Sequence, residues 1–306
     1  MKKVWKWIGL IALIIVIIGL TVSLKVYHDV KASVDAIYTP ISESEKEQVG
    51  DKRVDVVDAS AEKQPFSALI LGVDKREGDS GRSDTMIVLT VNPTLGTMKM
   101  LSIPRDTYTD IVGKNKKDKI NHAYAFGGME MSVKTVEGLL GIPIDYAATI
   151  NMEGFKEIVD FVGGISVDNE FAFSVAGDNF NEGVISLNGE QALKYVRMRY
   201  NDPSGDFGRQ NRQKQVVQEV LNKGVSLSSL FNYQSVLDIL KNNVSMSITF
   251  DEIQNIQRNY STSFGNIEQL YFRNGQEMRI GGIYFYVPEE GELKEIQRIL
   301  KEHLEL

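Results

Sequence analysis

The chain of 306 residues has no cysteine. That excludes disulfide staples, thiol nucleophiles and Cys-based zinc sites, so the core alone must hold the fold wherever the protein resides. Histidine is nearly as scarce: of three, His28 lies in a polar segment, leaving His122 and His303. A serine-hydrolase triad or a zinc site would have to be built on His122, which reads instead as a polar helix residue. There is no G-x-S-x-G elbow, no Walker-type phosphate loop, no G-x-G-x-x-G and no H-E-x-x-H, which removes the chemistries those motifs serve. No internal repeat is present. The formal net charge of -7 is the opposite of the basic surface that nucleic-acid binding requires, so nucleic acid is not an expected partner.

What the chain does have begins at its start. Lys2, Lys3 and Lys6 precede Trp7 to Leu24, 18 residues without a charged side chain, closed by Lys25. Such a run is just long enough to span hydrocarbon. Twelve Ile, Leu and Val residues between Ile8 and Leu24 favour insertion by about 4–7 kcal/mol. No A-x-A cleavage pattern follows, so an uncleaved transmembrane anchor is expected over residues 8–24. Three Lys before the span against one behind it put residues 1–7 in the cytoplasm and the rest outside, a single-pass protein of the cell membrane. Residues 25–64 are polar with weak apolar periodicity and read as a stalk. Residues 65–306 form the expected extracytoplasmic domain.

Within that domain strands and helices interleave. FSALILGVD reads as a buried strand, and TMIVLTVNPTLGTMKMLSIP as two strands joined by an Asn-Pro-x-x-Gly turn. Helical patterns follow in KINHAYAFGG, MEMSVKTVEGLLG, MEGFKEIVDFVGG, SLNGEQALKYV and FGRQNRQKQVVQEVLNKG, and later in YQSVLDILKNN and TFDEIQNIQRNY, the last with a Thr249/Glu252 capping box. YAATI, ISVDN, QLYFR and GIYFYVP read as strands, with a terminal helix over residues 292–304. Interleaving of this kind implies an α/β domain of three layers, α-β-α, around a central sheet.

The chemistry-bearing pattern is Arg beside Asp in loops behind apolar strands: Asp74 closing LILGVD, Arg82 and Asp84 in GRSDTM, Arg105 and Asp106 in SIPRD, and the stretch VRMRYNDPSGDFGRQNRQKQ. Loops beyond the strand ends of an α/β sheet are the usual place for a ligand. Arg197 and Arg199 are i,i+2 and share a face only in extended chain, whereas Arg209 and Gln213 are i,i+4 and share a helical face. A guanidinium fork binds a pair of phosphate oxygens where Lys supplies only a point charge. Each such contact contributes on the order of 1.5–3 kcal/mol, and two nearby Asp can supply the carboxylates that Mg²⁺ takes from protein. RNGQEMR and GKNKKDK read as ordinary exposed charge.

At these residues the sequence resembles the LytR-CpsA-Psr family of membrane-anchored enzymes. The resemblance is carried by LILGVDKR, RSDTM, SIPRD, KINHAYAFGG, TVEGLLGIPIDYAATI, GFKEIVDFVGGI, LNGEQALKYVRMR and DFGRQNRQ, in that order from Phe66 to Gln215. It implies a mixed sheet between helical layers with an apolar lipid tunnel, for which Met131 to Leu140 and Phe155 to Val162 are candidate walls. It implies transfer of a phosphoglycan, such as wall teichoic acid, from an undecaprenyl diphosphate carrier to the muramic acid 6-hydroxyl of peptidoglycan. It places metal-binding aspartates, for Mg²⁺ or Mn²⁺, at Asp74 and Asp84, and diphosphate-binding residues at Arg82, Arg105, Lys119, Arg197, Arg199, Arg209 and Gln213. Arg105 is expected to stabilise the transferred phosphate. A proton acceptor for the incoming hydroxyl is expected at Asp106, or at Asp206 as second choice. Two rival readings remain: a non-catalytic polyprenyl-phosphate-binding regulator, and a pyrophosphatase that uses water as acceptor.

Overall fold

The computed structural model describes residues 23–41, 64–74, 81–199, 202–223 and 233–306. Among the described residues no helix is long and apolar enough to cross a membrane. Residues 1–22, which hold nearly all of the expected anchor, lie outside them, as do residues 42–63 of the expected stalk.

A six-stranded mixed sheet runs through the centre in the order β11-β6-β1-β2-β3-β12. Its middle is β1 (Phe66–Asp74) between β2 (Arg82–Asn92), antiparallel, and β6 (Tyr146–Asn151), parallel. Antiparallel β3 (Thr97–Ser102), parallel β12 (Ile267–Leu270) and antiparallel β11 (Val244–Met246), which follows α6 (Tyr233–Asn243), complete it. Alternation along a strand sends successive side chains to opposite faces. Leu69, Leu71 and Val73 of β1 join Met86 and Val88 of β2 in one core, under α2 (His122–Leu140) and the terminal α8 (Glu290–His303). Phe66, Ala68 and Ile70 face the other way with Ile87, Leu89 and Val91, under α5 (Asp206–Lys223) and α7 (Phe250–Asn259). Helices thus cover both faces, the three layers expected. The Thr249/Glu252 capping box is present at α7.

A third, smaller core joins α3 (Met152–Phe161), α4 (Gly189–Arg197) and α5 to the hairpin of β7 (Ile165–Asn169) with β10 (Gly183–Leu187), and includes Val159, Phe180 and Tyr195. The short hairpins β4 (Tyr108–Ile111) with β5 (Lys116–Lys119), β8 (Phe173–Val175) with β9 (Asp178–Phe180), and β13 (Gln276–Ile280) with β14 (Ile283–Val287) lie outside the main sheet. GKNKKDK is therefore part of a hairpin, and RNGQEMR runs into β13.

Part of the expected stalk is packed structure. Residues 23–37 form α1, with Val34 and Ile37 buried. Tyr27 meets Phe250 edge to face at 5.3 Å, and Thr39 N donates to Met246 O at 2.8 Å at the edge of the main sheet. Val34, Ile37 and Ile41 have the i, i+3, i+7 spacing of a helical stripe, but three apolar residues in a largely polar and charged segment did not mark it as docked.

Candidate active site

Pairing of β1 with β2 brings the first two acidic residues together. Gly72 faces Thr85 and Val73 faces Ser83, so Asp84 is the extra residue of a bulge, while Asp74 faces Arg82 one step on. A bulge re-aims the side chain it inserts, and Asp84 lines the same cavity as Asp74. Glycine is required beside it, because a Cβ on Gly72 would stand 2.9 Å from Thr85 Cβ.

The arginine-rich stretch is divided by geometry. Asn188 and Gln191 form a capping box that starts α4. Arg197 is its last residue, where an extended strip was expected, and the chain becomes extended only at Met198, with φ -60 and ψ 129. On α5, Arg209, Gln213 and Val217 recur every fourth residue and share one face toward the cavity. Arg212 points elsewhere: it donates to Tyr195 O at 3.0 Å, Met198 O at 2.7 Å and Asp202 Oδ2 at 2.7 Å, and so fixes the C-terminal end of α4. Lys214 is also buried, 3.2 Å from the Tyr271 ring centre, and burial lowers its pKa to about 7.

Two cavities meet at this place. The first, about 290 Å³, is floored by Ile70, Ile87 and Ile150 of the sheet and walled by Phe155, Leu193 and Val217 from the helices. Its rim carries Asp74, Asp84, Arg105, Arg197, Arg199, Arg209 and Gln213. The second, about 390 Å³, is polar and takes its walls from Arg82, Asp106, Lys119, Asn121 and His122. Asp74, Asp84 and Arg105 belong to both. Arg105 Nη1 donates to Asp84 Oδ1 at 2.8 Å, Arg209 Nη1 to Asp84 O at 3.2 Å and Arg197 Nη2 to Asp74 Oδ2 at 3.3 Å. Asp106 accepts from Lys119 Nζ at 2.6 Å and lies 3.7 Å from Arg105 Nε.

Every expected site residue except one therefore reaches one cavity or the other; Asp206 opens α5, and its side chain lies outside the described residues. Of the two candidate tunnel walls, Phe155 lines the apolar cavity, while Met131 to Leu140 belongs to α2, packed on the opposite face of the sheet. Its apolar stripe is core. Asn121, not singled out from the sequence, and His122, read there as a polar helix residue, both line the polar cavity directly after Lys119 and Ile120.

Two carboxylates facing a common cavity fit a divalent cation that keeps its remaining positions for water and phosphate oxygens, as Mg²⁺ does. Among the described residues no group of three His, Asp or Glu assembles a fuller protein cage.

Comparison with known proteins agrees with this architecture. The LytR_cpsA_psr family profile matches residues 25–302. The polyisoprenyl-teichoic acid–peptidoglycan teichoic acid transferase TagU of Bacillus subtilis strain 168 is 46% identical over 302 residues, 97% of this chain and 96% of its own. The crystal structure of B. subtilis TagU has a TM-score of 0.64, covering 80% of this chain and 98% of that one at 46% identity. The solved structure of TagT bound to LIIa-WTA has 0.72, covering 88% and 100% at 30% identity. The chain belongs to the LytR-CpsA-Psr family.

Proposed function

We propose that the protein is a phosphotransferase that moves a phosphoglycan, wall teichoic acid, from an undecaprenyl diphosphate carrier to the 6-hydroxyl of muramic acid in peptidoglycan. The observation that carries this reading is the apolar cavity opening onto guanidinium groups and two carboxylates. A polyprenyl tail is apolar and its diphosphate is not, so one ligand satisfies both ends. TagU, by its name, transfers teichoic acid to peptidoglycan, which supports the same chemistry.

The residues divide the work. Ile70, Ile87, Phe155 and Val217 receive the first part of the lipid and exclude water from it. Arg105, Arg197, Arg199 and Arg209 hold the diphosphate and stabilise the charge that develops on the transferred and departing phosphates, a mainly electrostatic form of catalysis. Asp74 and Asp84 would hold Mg²⁺, or Mn²⁺ by the same oxygen ligands, which supplies further charge neutralisation. An anchor over residues 8–24 would keep the domain outside the cell, beside its lipid-linked donor.

The test incubates the full chain in detergent with an undecaprenyl diphosphate-linked glycan, Mg²⁺ and a peptidoglycan oligomer. The expected products are glycan joined to peptidoglycan and free undecaprenyl phosphate. Lipid bound but intact would make the protein a tether or regulator. Phosphoglycan released equally without acceptor would make it a pyrophosphatase.

A further inference from the structure

The polar cavity holds groups that binding a diphosphate does not use. Asn121 is 5% exposed, and its Oδ1 has no hydrogen-bond partner among the described residues. Leaving such an acceptor unmet costs about 1–3 kcal/mol, and native proteins seldom do so without a ligand or water to meet it. Next to it, His122 Nδ1 lies 2.9 Å from Asp118 Oδ1. Burial pushes the Asp118 carboxyl up, but hydrogen bonds from Lys116, the Lys119 backbone and His122 outweigh it and leave the group below its usual value. An ionised carboxylate only accepts, so Nδ1 is the donor of this pair, and in the neutral ring Nε2 is the acceptor. Among the described residues Nε2 has no hydrogen-bond partner.

Asp106 is placed differently in the same cavity. It sits between the Lys119 ammonium at 2.6 Å and the Arg105 guanidinium at 3.7 Å. Its carboxylate oxygens are thus already engaged by two cations, Oδ1 by Lys119 and Oδ2 by Arg105.

We propose that the polar cavity is the acceptor subsite, taking the sugar that bears the attacking primary hydroxyl, with Asn121 Oδ1 accepting from the sugar and His122 Nε2 taking the proton of that hydroxyl. Asp118 is the positioning residue that fixes the tautomer. The assignment rests on the transferase reading above. The hydroxyl oxygen bonds to the phosphorus that carries the glycan, and the bond from that phosphorus to the bridging oxygen breaks. Its electron pair leaves on the lipid phosphate, and the hydroxyl proton moves to Nε2 and then to solvent. The glycan ends in a phosphodiester and the lipid in a monophosphate.

The test uses the full chain in detergent with an undecaprenyl diphosphate-linked glycan and a peptidoglycan oligomer. His122→Ala should lower kcat by 10²–10⁴-fold, the usual range for a lost general base, with donor affinity within twofold and partial recovery in added imidazole. Asn121→Ala should raise the acceptor KM about tenfold, the scale of one lost hydrogen bond, with kcat nearly unchanged. Asp118→Asn should lower kcat while leaving both KM values in place. A His122→Ala protein within threefold of the parent, or one that loses donor binding in step with turnover, overturns the assignment. A parent that transfers nothing overturns the transferase reading and this assignment with it, whereas an active parent and an indifferent His122→Ala overturn this assignment alone.

Discussion

Arg105 and Arg212 carry the same side chain into different duties. Arg212 is enclosed with Asp202, their side chains 6% and 1% exposed, and its guanidinium lies 5.6 Å from the Phe173 ring and 5.7 Å from the Tyr195 ring. Each of its three nitrogens is engaged, by the Tyr195 and Met198 carbonyls and the Asp202 carboxylate, so its task is to hold the chain that presents Arg197 and Arg199. Arg105 faces both cavities and is the clearest candidate to grip phosphate bidentately. Replacing its fork by a point charge should separate binding geometry from charge. Arg105→Lys is expected to melt within 2 °C or so of the parent, being partly exposed, while kcat falls by about 10²–10³, the scale of a lost oxyanion donor. Near-normal transfer in a single-turnover assay would rule out bidentate grip at this position. The residue types and their places behind apolar strands pointed to Arg105, Arg197 and Arg209 before any coordinates. They could not separate Arg212, which lies only three residues from Arg209, about 60° round α5 on the side away from Gln213, and is set apart by the partners it meets there. Nor could they show the bulge at Asp84, because SDT reads as regular alternation and the extra residue is defined only by the partner strand.

At the scale of elements, the site depends on α4 lying hard against α3. Gly189 N donates to Asp160 Oδ1 at 2.7 Å, and a Cβ at Gly189 would fall 2.1 Å from Lys156 O, a backbone atom that cannot step aside. Gly189→Ala should therefore drive the two helices apart at their closest point. The expected loss is about 1–3 kcal/mol of stability, the usual scale of overpacking, read as a lower urea midpoint, with weaker lipid binding because Phe155 and Leu193 wall the cavity from these two helices. An unchanged midpoint would show that α4 can shift freely. Long periodic elements such as α3, α4, α5 and α7 were legible because an amphipathic helix repeats its apolar stripe over several turns. The hairpins were not. β4, β5, β8 and β9 are three or four residues long and mostly partly exposed, too short to show a period and too polar to look like strands.

The whole molecule is closed by its last helix. His303 at the end of α8 is buried between two strands of the sheet, with Thr90 Oγ1 2.8 Å from Nδ1 and Thr97 Oγ1 2.9 Å from Nε2. Burial, with Lys99 nearby, lowers its pKa from 6.5 to about 4. The unfolded chain thus binds a proton at His303 before the folded one does. Its contribution is complete above pH 6.5, shrinks as pH falls and is gone below about 4, a total of roughly 3 kcal/mol. Urea midpoints measured across this window should fall with acid, and His303→Gln should flatten that part of the curve. An identical slope in the variant would place the acid sensitivity elsewhere. The three-layer plan was readable from the interleaving of strands and helices, whereas the docking of α1 was not, since a few apolar residues in polar surroundings gain meaning only from the sheet edge they meet.

Asp74, Asp84 and Arg105 form a partition common to both cavities. With a lipid diphosphate in one chamber and an acceptor sugar in the other, as proposed, both ligands would meet the same three side chains, and their affinities would be linked. Under that proposal, whatever factor the lipid imposed on the sugar, the sugar would return to the lipid, and a spent carrier that lingered would leave its mark on how the next glycan strand is received.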